Sequence, residues 1–124
     1  MRVCVPTFKP NGLEARVCEH FGRCEAFTIA EIDEERISRA WSISNKRGGH
    51  HNCALTLQRI AKEGVDKVIV GRIGRGPLMG LKQIGIEVYV GASGIVEDIL
   101  KEYMKGNLRP AADEDICREM CRHK

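Results

Sequence analysis

The sequence predicts one α/β domain: a mixed sheet of about five strands with flanking helices. Three observations lead there. The chain has 124 residues, 43% of them apolar and 30% charged, which is the size and balance of one globular domain. At this length a chain buries about two-thirds of the surface it exposes when unfolded, enough for a core without disulfide staples. The first half alternates apolar and polar residues on either side of a polar turn, which is the pattern of an antiparallel hairpin. The second half alternates β-branched runs with helical-period stretches, and a strand–helix–strand crossover forces parallel strands. Only a mixed sheet accommodates both.

The elements follow in order. Met1 to Val5 reads as a buried first strand, and Pro6 to Gly12 as a loop by its Pro, Asn and Gly content. Phe27 and Ile29 alternate with Thr28 and Ala30. After the turn Asp33-Glu34-Glu35, the residues Ile37, Trp41 and Ile43 fall on one face at period two. Ser44 to His51 is a loop. Leu57, Ile60 and Ala61 recur at helical spacing, with Asn52 as a cap and Gly64 as a left-handed stop. Lys67-Val68-Ile69-Val70 is a strand covered on both faces, and Gly71 to Gly76 is a glycine-rich turn. Pro77 suits the first turn of a helix that carries Leu78, Leu81 and Ile84 and closes at Gly85. Ile86 to Val90 is a further strand. Ser93 caps a helix with the stripe Ile95, Val96, Ile99, Leu100 and Tyr103, and Gly106 stops it. A last short helix begins near Asp113 and carries Ile116, Cys117, Met120 and Cys121 on one side.

Composition excludes several classes of function. Lys and Arg number 20 against 17 Asp and Glu, and the signs are interleaved. Nucleic-acid binding needs clustered cations, and a single-strand platform needs more aromatic rings than 5% supplies. The apolar start is too short for a signal peptide, and no stretch reaches the ~20 apolar residues of a membrane span. The expectation is a cytoplasmic protein without nucleic-acid or membrane partners, and its oligomeric state, a homodimer included, is left open. Six cysteines (Cys4, Cys18, Cys24, Cys53, Cys117 and Cys121) are many for such a chain. They are expected to stay reduced there, so metal or cluster chemistry has to be weighed.

Three segments could carry that chemistry. Cys18-Glu19-His20-Phe21-Gly22-Arg23-Cys24 gathers two thiols, an imidazole and a guanidinium around a glycine that admits close backbone approach. Thiolate and imidazole suit iron–sulfur species, zinc and cuprous copper. The competing reading makes Cys24 a small hydrophobe at a strand start and His20 a surface residue. Gly48-Gly49-His50-His51-Asn52-Cys53 puts two histidines and a cysteine at the mouth of a helix, where a thiol loses its proton more easily and anions are favoured. One of the two histidines is expected to ligate, and a flexible polar loop explains the glycines equally well. Cys117 and Cys121 lie four apart on one helix face, with His123 nearby, and could share a zinc ion or simply face the core. The turn Gly71-Arg72-Ile73-Gly74-Arg75-Gly76-Pro77 opens a helix but matches no nucleotide-binding spacing. Its two arginines would attract some anion. No Ser-His-Asp, Cys-His-Asn or paired-carboxylate arrangement supports an enzyme.

Together, His20-Phe21-Gly22-Arg23-Cys24 leading to Phe27, Gly71-x-x-Gly74-x-Gly76 leading to Gly85-Ile86-x-Val88-Tyr89-x-Gly91, and Tyr103 to Leu108 resemble a known family. It is the dinitrogenase iron-molybdenum cofactor biosynthesis family, the stand-alone relatives of nitrogenase accessory proteins of the NifX and NafY type. The likeness spans residues 1–108, taken as one domain. The helical tail 109–124, with its Cys pair, lies outside it. The resemblance implies a ribonuclease H-like fold and a non-catalytic role: holding or ferrying an iron–sulfur or iron-molybdenum-type cluster among cofactor-assembly proteins. It places ligands near His20, Cys24 and the His50-His51 loop. The residues themselves add Arg23 as a charge partner and Cys53 as a further donor. A regulatory or protein-binding domain with structural cysteines competes with this reading, as does zinc held by Cys117 and Cys121.

Overall fold

The structure is a computed structural model that describes residues 1–18, 24–34, 36–44 and 53–111, without the side chains of 53–56. Six strands and three helices occur among them. In chain order they are β1 (Arg2–Thr7), β2 (Ala26–Asp33), β3 (Arg36–Ser44), α1 (Cys53–Lys62), β4 (Lys67–Ile69), α2 (Arg75–Gln83), β5 (Glu87–Val90), α3 (Val96–Met104) and β6 (Arg109–Pro110). A 3-10 turn at Gly12–Glu14 follows β1. The strands form one sheet in the order β3-β2-β1-β4-β5-β6. The hairpin β2–β3 adds antiparallel to β1, whereas β1, β4 and β5 run parallel. The α/β mixed sheet expected from the sequence is therefore present, with one strand more.

Period-two alternation divides the core between the two faces of the sheet. On one face Cys4, Phe27, Ile29, Val68, Val88 and Val90 pack against Ile60 of α1 and Leu78 and Leu81 of α2. On the other, Val3, Val5, Ala30 and Ile69 pack against Val96, Ile99 and Leu100 of α3. β4 has Val68 on one face and Ile69 on the other, both fully buried, which is why its run is continuously apolar. Gly64, Gly85 and Gly106 all have positive φ (+72°, +82° and +81°) where the sequence places helix stops, a conformation that favours glycine.

Four local expectations are corrected. β1 continues through Pro6 to Thr7, although proline is normally barred from a central strand. The β4 ladder ends at Cys4–Val68, and beyond it the Pro6 carbonyl accepts from the Cys18 N–H at 2.9 Å. A strand residue's N–H and C=O point the same way, so the missing Pro6 N–H faces residues 16–18 and costs no bond to β2. Second, Ile37 leaves the face it should share with Trp41 and Ile43. Its partner is Ile32, the pairing shifts register after Glu31, and Ile37 packs on the α3 side. One extra residue at Ser38 flips every later side chain. Third, the residue preceding α3 is Ile95, without a side-chain cap, so Ser93 does not cap it. Fourth, Arg109 and Pro110, assigned to the tail, pair with Val90 and Tyr89 as the sixth strand. The Cys117–Cys121 helix and the Asn52 cap lie outside the described residues.

Candidate functional site

The sheet brings its loops together at one end. Thr7 at the end of β1 is in register with Ala26 at the start of β2, and Ala26 with Ser44 at the end of β3. β4 and β5 end on the same side because they run parallel to β1. α1 and α2 return the chain in the opposite direction. The last turn of α1 lies at the far end, where Arg2 Nη1 donates to the Glu63 carbonyl. A ten-residue helix is about 15 Å long, so Cys53 opens α1 at the loop end. α2 begins there too, after the turn 71–74. Its capping residue, Gly74, supplies no side-chain acceptor.

A short crossing segment completes this end. Arg16 bridges to Ile95 and Val17 to Thr7. The Val17 N–H donates to the Gly94 carbonyl at 2.8 Å, and Gly91 and Gly94 hold positive φ of +96° and +94° in the strap beneath it. Cys18 therefore arrives beside the start of β2, where Cys24 waits. Their Cα atoms are 5.8 Å apart and the two are joined as a disulfide. Cys18 is 4% exposed and Cys24 1%. The expectation that every cysteine stays reduced is thus corrected for this pair, which the Val17–Thr7 bridge and the Thr7–Ala26 register bring together. In the sequence Cys18 stands out only as part of a thiol-bearing segment. Its six-residue separation from Cys24 across a glycine was the signal that the two could meet.

Of the other residues singled out, Cys53 is placed by its backbone at the mouth of α1. His20, Arg23, His50, His51, Cys117 and Cys121 lie outside the described residues. The described segments flanking residues 19–23 and 45–52 all converge on this end, at Cys18, Cys24, Ser44 and Cys53. Exposed Arg72 and Arg75 add positive charge beside the start of α2, where the helix dipole has the same sign. No group of three or more His, Cys, Asp or Glu side chains that could hold a metal occurs among the described residues. Cys4 is no candidate. It is fully buried on the α1–α2 side, and burial, with Glu63 adding to it, pushes its thiol far above the ordinary range.

The opposite end has a different character. A hollow of about 530 Å³ lies there, lined by Met1, Ile32, Tyr89, Tyr103, Met104 and Leu108 among others. It is mostly hydrocarbon and aromatic. The Tyr103 hydroxyl donates to Met1 Sδ at 3.7 Å, and Tyr89 meets Tyr103 edge to face. Among the described residues, Cys24 does not line it. Among the described residues no helix is long and apolar enough to cross a membrane.

The same architecture recurs in known proteins. The crystal structure of PH0822 superposes with a TM-score of 0.79 at 26% identity, covering 91% of this chain and 98% of that one. The apo form of the orange protein from Desulfovibrio gigas gives 0.81 at 23%, covering 90% and 92%, a likeness of fold. In sequence, the uncharacterized protein MJ0580 of Methanocaldococcus jannaschii is 37% identical over 95 residues, 75% of this chain and 80% of that protein. The family model described as dinitrogenase iron-molybdenum cofactor matches residues 1–106, which is every described element but β6. By sequence match and by fold, this chain belongs to the dinitrogenase iron-molybdenum cofactor family.

Proposed function

We propose that the protein is a non-catalytic carrier that holds an anionic iron–sulfur or related metal–sulfide cluster at the loop end of the sheet and passes it to cofactor-assembly proteins. The observation that carries this reading is convergence. The segments flanking both His- and Cys-bearing loops, and the first residues of α1 and α2, meet at the ends of β1, β2 and β3. Family membership supports it. So does the chemistry of the donors: thiolate and imidazole suit soft metals, while Arg72, Arg75 and two helix N-termini offset anionic charge. In this proposal Cys24, Cys53 and one of His50 or His51 ligate, His20 stands beside them, and Arg23 neutralises charge. Incomplete coordination by the protein suits a carrier, because a cluster with every position satisfied would not be released.

Anaerobic reconstitution of the reduced protein with iron and sulfide tests it. Wild type should develop sulfur-to-iron absorption in the visible range. A Cys24→Ala, Cys53→Ala double variant should lose most of it. If both take up equally little iron, the reading is wrong. The pairing of Cys18 with Cys24 and the burial of Cys4 favour a second reading, a protein-binding domain whose cysteines are structural. Reconstitution that fails in wild type would leave that one standing.

A further inference from the structure

We propose that Cys18 and Cys24 form a reversible dithiol–disulfide couple that decides whether the Cys24 sulfur is available to cargo. This rests on the carrier reading above and adds its regulation. The pair sits at the end of the sheet assigned to cargo, and the sheet itself holds both members in place. The Cys18 N–H donates to the Pro6 carbonyl at 2.9 Å, and its neighbour Val17 bridges to Thr7. Two residues beyond Cys24, Ala26 is in register with that same Thr7. One residue, Thr7, thus fixes the approach of both cysteines. Their Cα separation of 5.8 Å falls in the range of about 4.4–6.8 Å that a disulfide spans without backbone movement. Neither formation nor cleavage of the bond requires the fold to change.

The chemistry balances with a small-molecule disulfide as oxidant. The two Sγ–H bonds of the cysteines break and one Sγ–Sγ bond forms. Two electrons and two protons pass to the oxidant, whose S–S bond breaks to release two thiols. A small thiol reverses the step. The metal-binding form of cysteine is the thiolate, so the oxidised pair offers no such donor, whereas the reduced pair offers Cys24 with Cys18 beside it. Because both residues are almost fully buried, small reagents should reach them faster than protein oxidants.

The test equilibrates the full chain without oxygen in glutathione buffers of stepped ratio, then traps thiols by alkylation. Trypsin cleaves after Arg16, Arg23 and Arg36, so the bond links the peptides 17–23 and 24–36, which are otherwise separate. The linked pair should appear and disappear reversibly as the ratio is changed. In parallel, cobalt(II) alone is added after the buffer is removed, and thiolate-to-cobalt absorption is read. It should be lower by about threefold or more in the oxidised protein, because a metal needs deprotonated ligands. Cys18→Ala, which leaves Cys24 without its partner sulfur, should bind cobalt equally after either treatment in the fraction that intact mass shows to be free of a glutathione mixed disulfide, with circular dichroism confirming its fold. If the linked pair never forms, or forms while cobalt binding stays equal in both states, the switch is overturned and the carrier reading stands. If reduced wild type binds neither cobalt nor a reconstituted cluster, both are overturned.

Discussion

Raising the pH should destabilise this protein through one buried thiol. Cys4 is fully buried between Ile29 of β2 and Val68 of β4, and its pKa is raised by burial first and by the Glu63 carboxylate second. The folded state therefore keeps its proton, while an unfolded thiol releases it near pH ~8.5. A folded pKa raised above the unfolded one gives stability that is complete below about 8.5 and is lost as pH climbs. The loss is about 1.4 kcal/mol at pH ~9.5 and about 2.7 kcal/mol at pH ~10.5, following the 1.36 kcal/mol per unit of a single proton. That is a large share of the roughly 5–15 kcal/mol that holds such a domain folded. Urea unfolding at stepped pH, in wild type and in Cys4→Ala, isolates this thiol, because every other group titrates in both proteins. The variant should be less stable near neutrality by about 1–2 kcal/mol, from the lost sulfur and the space it leaves. Its profile should be flatter, so that the two curves converge at high pH. Parallel curves would refute the reasoning, since they would mean that the native state admits the thiolate.

Three further outcomes are expected. Arg2 ties β1 to its neighbours: Nε donates to Glu31 at 3.0 Å, Nη1 reaches the Glu63 carbonyl, and the guanidinium lies 5.3 Å from the Trp41 ring. Arg2→Ala should cost about 2 kcal/mol in urea unfolding after allowance for solvent screening of the ion pair, and Arg2→Lys should recover less than half, because an ammonium cannot make the same fork. Reduction of the Cys18–Cys24 bond, which closes a seven-residue loop, should lower stability by about 2 kcal/mol on loop entropy, seen in calorimetry as a melting point lower by about 6–10 °C. Arg72→Gln with Arg75→Gln should weaken retention of a reconstituted cluster on gel filtration, with less sensitivity to salt than wild type.

What was legible in the sequence was whatever one segment decides alone. The run from Lys67 to Val70 announces a strand buried on both faces, and Gly64, Gly85 and Gly106 announce helix ends because left-handed backbone favours glycine. What escaped depends on partners distant in the chain. Pro6 reads as a loop until the β4 ladder is seen to stop at Cys4. Ile37 reads as a neighbour of Trp41 until Ser38 inserts itself between two registers. For the candidate site, the sequence named the thiols and imidazoles but not their arrangement. Only the shared register with Thr7 brings Cys18 to Cys24.

Those two residues at the far border of the sheet, Arg109 and Pro110, matter beyond their length. The likeness to the family stops at residue 106, so a chain trimmed to that boundary would strip the outer side of β5 and leave its amide and carbonyl row bare. Such a row recruits foreign strands, whereas a proline on the rim, with no N–H to offer, turns them away. Shortened versions should therefore keep residues through Ala111, whose N–H donates to the Val88 carbonyl at 2.8 Å, or they will clump in solution for reasons unrelated to cargo.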